Sequence, residues 1–482
     1  MSEFEANAAK KPLVAMAGAS GFVGSHLRHF LSEHYSFRAL TRSAAVASTA
    51  SKTDTEWREC DLYSLPKVTD ALEGCKIGIY LVHSMAPSSR LMQANFEDTD
   101  VLLADNFVRA AEAVGIEHIV YLSGLMPEGV EDISPHLRSR REVEDVLRSR
   151  SVPVTVLRAG LIFGPGGSSF SMLINLVRRL PVMVLPAWAT SKTQAIDIDD
   201  ICRAFQHVMT APGYRGNCYD VAGHAVMSYS ELIRETARHL KTRSRHINFP
   251  LNCFALSRRW VSLFGGVPEE LVGPLLESLQ YDLSARPNDL LTWLEQTGTR
   301  NFQESLDRSV DANGNPKPNP RSETRIADAQ AIRTARRVRS VQRMPLPEGM
   351  DAQDIAKEYG QWVTENLGGI VQARRDDEGV LRFQLLKRWT LLELTPTPFS
   401  KRHPFRCAFY ITGGALAREV LPPGRFEFRI FPGIRSVIAS IHGFSPTLPW
   451  YVYAYTQAIA HLWVMRWFSR HLGGLMHRPS DS

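Results

Sequence analysis

A glycine-rich turn near the start of the chain is the first feature whose residue types and spacing suit ligand chemistry. The apolar run over residues 11–18 ends in glycine, and Gly18-Ala19-Ser20-Gly21-Phe22-Val23-Gly24 opens a stretch with apolar residues at helical spacing. Since glycine lacks a Cβ, the backbone can approach a diphosphate closely, and the start of the following helix offers N–H donors. This pattern predicts a strand, a diphosphate-binding turn and a helix. The expected contacts are Gly18, Ser20, Gly21, Phe22, Val23 and Gly24.

The end of the second predicted strand indicates which dinucleotide the turn would bind. The strand ends Leu40-Thr41-Arg42-Ser43, without the carboxylate that would grip the ribose of NAD. The Arg42 guanidinium can pair with a 2′-phosphate, and Thr41 and Ser43 place hydroxyls beside it. The sequence therefore favours NADP(H) over NAD(H). The alternative is that Arg42 is a solvated loop residue.

The first two thirds of the chain alternate short apolar runs with helical patterns. Strands are predicted over 36–43, 56–60, 77–82, 118–124 and 152–160, and helices over 91–114 and 135–149. This alternation predicts a doubly wound α/β domain with a parallel sheet, the Rossmann arrangement, over residues 1–315. Its less regular part, from about 168 to 310, is expected to cap the substrate side, with apolar segments at 181–190 and 248–268.

Further short motifs resemble those of atypical or extended short-chain dehydrogenases/reductases, of the NmrA-like and epimerase-like type. Besides the glycine turn, they are Cys60-Asp61-Leu62, Tyr80 to Ser84, Leu122-Ser123-Gly124, Leu157 to Gly160 and Phe163 to Gly166. Val82 to Met85 and Pro135 to Arg140 are similar to a bacterial subgroup with a C-terminal domain of unassigned function. The resemblance implies that the cofactor contacts extend to Asp61, Leu62, Val82, His83, Ser84 and Arg140.

The resemblance also implies where the chemistry would take place, and there the sequence departs from the family. Reductases of this type use a serine and a Tyr-x-x-x-Lys pair, whereas here His136 stands at the tyrosine position and Arg140 at the lysine position. Histidine is a competent acid or base near neutral pH, and a neighbouring arginine favours its neutral form. Ser123 is the expected hydroxyl for polarising a carbonyl, and His83 is an alternative proton donor.

The role of His136 remains open on this basis. It replaces the tyrosine as proton donor, or it only positions the substrate, or the site has lost catalysis and keeps the nucleotide as a structural or sensing ligand. The first predicts an NADPH-dependent reductase that transfers hydride to a carbonyl or polarised double bond of an apolar small molecule. The alternatives are a catalytically silent NADP(H)-binding sensor or scaffold, and an epimerase or dehydratase that retains its NADP.

The last third predicts a second domain. Pro and Gly in residues 311–320 predict a linker, and 321–482 reads as an α+β domain with a curved antiparallel sheet closed by a long helix, similar to helix-grip folds. The closing segment, 448–472, combines aromatic residues with Arg466 and Arg470. Its rings either fill a core or make a peripheral membrane contact, and both interpretations hold if a lipid-like ligand lies between helix and sheet.

Composition excludes several classes of protein. The 482 residues carry a net charge of +6, which is small for this length, and the arginine-rich run 321–343 lacks interleaved aromatics, so no nucleic-acid partner is expected. The six cysteines are scattered without a C-x-x-C pair, which predicts neither a metal site nor a disulfide framework. The polar N-terminus lacks a secretory signal. A cytoplasmic location is expected, with surface association at a membrane as an option, and the oligomeric state stays open.

Overall fold

The computed structural model divides the chain into two compact units. It describes residues 11–48, 55–84, 92–252, 254–265, 269–322, 338–367, 369–398, 403–431 and 434–476. The first unit comprises Met1–Ala86 and Leu103–Asp328, and the second comprises Pro87–Leu102 and Ala329–Ser482.

The regular elements alternate in the first unit and are dominated by strands in the second. The strands are β1 (Leu13–Ala17), β2 (Ser36–Thr41), β3 (Thr55–Glu59), β4 (Ile77–Tyr80), β5 (Met92–Ala94), β6 (His118–Gly124), β7 (Val154–Ala159), β8 (Ile162–Phe163), β9 (Val182–Leu185), β10 (Lys192–Gln194), β11 (Ile196–Asp197), β12 (Cys218–Val221), β13 (Val226–Ser228), β14 (Arg245–Asn248), β15 (Val338–Pro345), β16 (Val371–Arg375), β17 (Leu381–Leu385), β18 (Trp389–Pro396), β19 (Arg406–Gly413), β20 (Gly424–Ile430) and β21 (Ser436–Phe444). The helices are α1 (Phe22–Phe30), α2 (Ala44–Ala47), α3 (Leu65–Leu72), α4 (Phe96–Val114), α5 (Pro135–Arg148), α6 (Ser168–Arg179), α7 (Ile198–Thr210), α8 (Tyr229–His239), α9 (Phe254–Gly265), α10 (Glu269–Ser278), α11 (Asp289–Gln296), α12 (Phe302–Ser309), α13 (Ala352–Asn366), α14 (Trp450–Tyr455) and α15 (Gln457–Met476).

A parallel sheet forms the centre of the first unit. Among the described residues it has seven strands in the order β12-β7-β6-β4-β1-β2-β3, and each neighbouring pair is parallel. Strand residues such as Val14, Ile79 and Val120 are fully buried because helices cover the sheet. The predicted doubly wound α/β fold is confirmed. It brings the carboxyl ends of β1, β4, β6 and β7 to the edge where such folds bind ligands.

A second core in the first unit lies beyond the sheet. Phe163, Phe170 and Trp188 pack there with side chains from α6, α8, α10 and α12. The apolar segments expected near the ligand, 181–190 and 248–268, contain both buried and exposed residues. Trp188 and Val261 are buried, whereas Phe249 and Leu263 are exposed. These segments therefore supply both core and surface.

The segment predicted as a linker is packed onto the first unit. The Asn319 amide donates to the Ser25 hydroxyl at 2.8 Å, and the Asp311 carboxylate accepts from the backbone N–H groups of Asn313 and Asn315. A Cβ on Gly166 would lie 2.2 Å from the Cβ of Asn319. Polar side chains and close backbone approach, rather than apolar burial, thus hold this segment in place.

The predicted helix over 91–114 begins later than expected. It starts at Phe96, and residues Met92–Ala94 instead form β5, which pairs in parallel with β15 in the second unit. The amide of Gln342 donates to the carbonyl of Gln93 at 2.8 Å and reinforces this pairing. A pairing partner far along the chain outweighed the local helical pattern.

The second unit is a mixed, mainly antiparallel sheet with two long helices packed against it. The order among the described strands is β16-β17-β18-β19-β20-β21-β15-β5. Tyr359 and Trp362 of α13 meet Phe428 of β20 and Phe468 of α15 in one aromatic core. The predicted α+β class of this region is confirmed. None of the helices in the described ranges is long and apolar enough to cross a bilayer.

Candidate functional site

The glycine turn has the shape that its sequence predicts. Gly18 has φ +87°, and the Gly21 N–H donates to the Gly18 carbonyl at 3.1 Å. A Cβ on Gly24 would lie 2.5 Å from that carbonyl oxygen and 2.8 Å from the Cα of Ala19. Gly21 caps α1 without a side-chain hydrogen bond, so main-chain groups alone form the start of the helix. The turn therefore fits a diphosphate, which needs close backbone approach and N–H donors.

The turn opens into a cleft of about 570 Å³ within the first unit. Of the residues predicted as site residues, the cleft lining brings together Gly18, Gly21, Phe22, Val23, Gly24, His83, Ser123, His136 and Arg140. The remaining predicted residues lie outside that lining: Ser20, Thr41, Arg42, Ser43, Asp61, Leu62, Val82 and Ser84.

The hydroxyls that follow β2 take part in local structure. The Thr41 hydroxyl accepts the N–H of Ser43 at 3.2 Å, and the Ser43 hydroxyl accepts the N–H of Val46 at the start of α2. Arg42, between them, is exposed. The turn therefore presents the Arg42 guanidinium to solvent at the end of the second strand.

Asp61 and Leu62 also make local contacts. The Asp61 carboxylate accepts the N–H of Tyr63 at 3.2 Å, and the Leu62 carbonyl accepts the buried amide of Asn106 at 2.8 Å. These bonds fix the loop after β3, where the family pattern places an adenine contact.

Two histidines face each other in the cleft. Nε2 of His83, which follows β4, lies 3.1 Å from Nδ1 of His136 in the first turn of α5. Burial, the nearby His83 and the Arg140 guanidinium together hold the pKa of His136 well below its usual value. Arg140, one turn further along α5, also donates to the hydroxyl of Tyr121 at 3.4 Å. His136 is therefore neutral at pH 7.

Ser123 is held by a buried ion pair that sequence reasoning missed. Its hydroxyl donates to Oε1 of Glu144 at 2.7 Å, and the Arg158 guanidinium pairs with the same carboxylate at 2.6 Å. One signal for this network was present in the sequence: His136, Arg140 and Glu144 recur every four residues along α5. The register that makes Ser123 and Arg158 partners on β6 and β7 is visible only in the structure.

The other wall of the cleft is mostly apolar. Leu125, Leu161, Leu275, Leu279 and Leu283 line it. Tyr229, at the start of α8, is a further lining residue that was not predicted, and its burial raises its pKa to about 12. Within the described residues, no group of three or more His, Cys, Asp and Glu side chains is arranged to hold a metal ion.

Comparison with known proteins matches residues 18–169 to a family model described as NAD(P)H-binding. The first unit therefore contains an NAD(P)H-binding domain. This match confirms the resemblance carried by the glycine turn and by the strand ends. It spans the glycine turn and five strands of the parallel sheet, β2, β3, β4, β6 and β7, together with the cleft residues up to Ser169.

Two curated proteins are similar to the chain. "Auxiliary protein GraX" of Staphylococcus aureus is 25% identical over 114 residues, which is 24% of this chain and 37% of that protein. A ceramide reductase of Caulobacter vibrioides is 26% identical over 265 residues, covering 52% of this chain and 79% of that protein. The matched part of the chain thus spans just over a third of the first relative and most of the second.

Two solved structures are similar to about three fifths of this chain. A Citrobacter triphenylmethane reductase complexed with NADP(H) has a TM-score of 0.49 at 18% identity, with 62% of this chain and 100% of that chain covered. An Escherichia coli NADPH-dependent quinone oxidoreductase complexed with NADPH has a TM-score of 0.48 at 21% identity, with 61% and 98% covered.

Proposed function

We propose that this protein is an NADPH-dependent reductase that acts on a carbonyl or polarised double bond of an apolar small molecule. One observation carries the proposal: a single cleft joins the glycine turn, a facing pair of histidines and a wall of leucines. The ceramide reductase among the relatives acts on a lipid, which supports an apolar substrate.

In this proposal the cofactor is held by main-chain groups and one arginine. The amides around Gly18, Gly21 and Gly24 hold the diphosphate, and Arg42 pairs with the 2′-phosphate that distinguishes NADPH from NADH. When bound, the reduced nicotinamide supplies the hydride.

The histidine pair supplies the proton. Because His136 is neutral, its ring carries one N–H and one bare nitrogen, and the contact with His83 needs one donor and one acceptor. When Nε2 of His136 gives its proton to the substrate, Nδ1 of His136 takes up the proton from Nε2 of His83, and Nδ1 of His83 takes up a proton from solvent. The pair would then deliver a proton without leaving a buried ring charged.

Ser123 takes a different role from the serine of the family pattern. Its hydroxyl hydrogen points to Glu144, so the oxygen is left to accept rather than to donate. In our proposal Ser123 positions α5 against β6, and the histidines polarise the substrate oxygen.

The same bond favours a second candidate, a silent NADP(H)-binding sensor. If the reaction requires Ser123 to polarise the substrate carbonyl, the bond from the Ser123 hydroxyl to Glu144 prevents it. The domain would then bind the nucleotide without oxidising it.

Single-turnover oxidation of NADPH by the full chain separates the two candidates. The assay follows absorbance of the reduced cofactor against a panel of apolar ketones and enones, with His136→Gln as the test variant and His29→Gln, on the exposed side of α1, as its control. The reductase predicts turnover that His136→Gln slows and His29→Gln leaves unchanged. Tight NADPH binding without turnover across the panel would contradict the reductase and favour the sensor.

A further inference from the structure

Four loop regions of the second unit lie side by side at one end of its sheet. The N–H of Leu386 donates to the carbonyl of Ile370 at 2.7 Å, and Leu385 pairs with Trp389 across the β17–β18 turn. The N–H of Ala415, which follows β19, donates to the carbonyl of Thr390 at 2.9 Å, and the N–H of Thr447, which follows β21, donates to the carbonyl of Leu416 at 3.2 Å. We call this the loop end: residues 369–370, 386–389, 414–423 and 445–451.

Large apolar side chains are exposed at the loop end. They are Ile370, Leu386, Trp389, Leu421, Trp450 and Tyr451. Leu421 is 92% exposed, although a leucine of a folded domain is usually covered. At the opposite end of the sheet, the exposed large apolar residues among those described are Phe405, which is 40% exposed, and Met476, which is 47% exposed and ends α15 beyond the contact of Gly473 with Pro345. The exposed apolar surface is therefore concentrated at one end.

The exposed surface continues along the C-terminal helices. Tyr451 and Tyr455 are four residues apart on α14, and Ile459 and Trp463 repeat the spacing on α15. Tyr455 is 79% exposed. The other side of α15 buries Met465, Phe468 and Leu472 in the aromatic core, so the helix is apolar on two sides. Packing in the core explains the second side, whereas the first side is exposed in the part of the chain that the structure describes.

Basic side chains outnumber acidic ones around this surface. Lys387, Arg388 and Arg418 are exposed at the loop end, and Glu365 and Glu419 are the exposed acids near it. Residues 450–476 contain no Asp or Glu, while Arg466 and Arg470 are exposed on α15. The Arg388 guanidinium lies 5.7 Å from the centre of the Trp389 ring. Cations and aromatic rings thus occupy the same surface.

We infer that the loop end and the adjoining face of α14 and α15 dock on an anionic lipid bilayer. Trp and Tyr rings prefer the boundary between headgroups and acyl chains, and Lys and Arg pair with anionic headgroups. A contact between two copies of the chain explains the surface less well, because the centres of protein interfaces are depleted of lysine. Here the exposed Lys387 is next to the exposed Leu386 and two residues from the exposed Trp389.

Flotation of the full chain with lipid vesicles tests this inference independently of any reductase activity. The vesicles are phosphatidylcholine alone or phosphatidylcholine mixed with phosphatidylglycerol. The test variants are Trp389→Glu and Leu421→Glu, and Phe405→Glu is the matched control at the opposite end of the sheet. Melting temperatures and NADPH binding of each variant report whether it is folded.

We expect the protein to float with the mixed vesicles, less with phosphatidylcholine alone, and less as salt is raised. Each test variant should lower the partition coefficient by about tenfold or more, because a large apolar side chain leaves the interface and a like charge meets the lipid. Phe405→Glu should float like the unchanged protein. Failure to float with either vesicle would overturn the inference, as would equal losses in all three variants. It would also be overturned if the unchanged protein is a dimer that Trp389→Glu dissociates and vesicles do not capture.

Discussion

The two ends of the cleft are built on different principles. At the glycine end, main-chain groups line the site, and the geometry depends on atoms that are missing: the Cβ positions of Gly18 and Gly24. At the histidine end, side chains from separate elements meet, as in the contact between His83 and His136 and the bonds from Ser123 and Arg158 to Glu144.

This difference predicts two kinds of response to mutation. One added carbon at the glycine end meets backbone that cannot rotate away, so the loss should be complete. Changes at the histidine end remove one partner of a pair, so we expect partial losses. Some of these variants should lower the free energy of unfolding, and others should lower the rate of NADPH oxidation.

The largest effect is expected for Gly24→Ala. The new Cβ would lie 2.5 Å from the carbonyl oxygen of Gly18, and the turn must shift to admit it. NADPH binding measured by calorimetry should disappear. Gly213→Ala is the control, because a Cβ there meets nothing within 4 Å. Undiminished binding by Gly24→Ala would show that the turn does not hold the cofactor.

Removal of the charge of Glu144 should destabilise the first unit strongly. In Glu144→Gln the half-buried Arg158 guanidinium loses its carboxylate partner, whose side chain is only 3% exposed. The loss in free energy of unfolding should be about 3 kcal/mol or more, measured by urea denaturation. Glu117→Gln, which alters an exposed pair with Lys76, should leave the midpoint unchanged. Equal midpoints for both variants would mean that the pair contributes nothing to stability.

A more limited loss is expected for the rate in His136→Gln. If the pair donates a proton, single-turnover oxidation of NADPH should slow about a hundredfold while NADPH affinity stays unchanged. His83→Gln should slow the same step, since it removes the partner that returns the proton. A normal rate in both variants would leave these histidines a positioning role alone.

A third histidine shows how burial acts without function. Nε2 of His118 donates to the Thr155 hydroxyl, which itself donates to the Tyr214 carbonyl, and burial lowers the pKa of His118 to about 4. As the pH falls below 6.5, the pKa of His118 in the unfolded chain, the unfolded chain binds a proton there and the folded chain does not. The free energy of unfolding therefore decreases as the pH falls from 6.5 to about 4.

His118→Gln should reduce this pH dependence. His118 lowers the free energy of unfolding by on the order of 2 kcal/mol at pH 5. At pH 8 it has no such effect, because its side chain is neutral in both the folded and the unfolded state. Thermal melts at the two pH values measure it. An unchanged slope in the variant would assign the acid sensitivity to other buried histidines, such as His461, whose pKa burial also lowers to about 4.

The smallest effect is expected at Arg42, which lies outside the cleft lining. Arg42→Ala should weaken NADPH binding about tenfold and leave NADH binding unchanged, because only NADPH carries the 2′-phosphate. The control is Arg58→Ala, because Arg58 is an exposed arginine on the next strand, β3, and pairs with Asp70 of α3. Equal weakening of both nucleotides would remove the assigned preference for NADPH.

What the sequence predicted was local in the chain. The glycine turn could be predicted because the three glycines that its conformation requires lie within seven consecutive residues. The parallel sheet could be predicted because strand and helix patterns alternate along the chain. The four-residue spacing of His136 and Arg140 likewise places them on one face of α5.

What the sequence did not predict requires partners from distant segments. The contact of His83 with His136 joins residues 53 positions apart, and Asn319 reaches Ser25 across 294 positions. The pairing of β5 with β15 and the packing of the expected linker onto the first unit have the same origin. Nothing in the local pattern specifies such contacts, although the row of polar residues on α5 pointed to Glu144.

The central claim is that the glycine turn of the first unit binds NADPH. Isothermal titration of NADPH into the folded full chain tests it most directly. Saturable binding of one nucleotide per chain, abolished by Gly24→Ala and retained by Gly213→Ala, is the predicted result. Absence of heat from either nicotinamide dinucleotide, with a cooperative melting transition showing that the protein is folded, would contradict it.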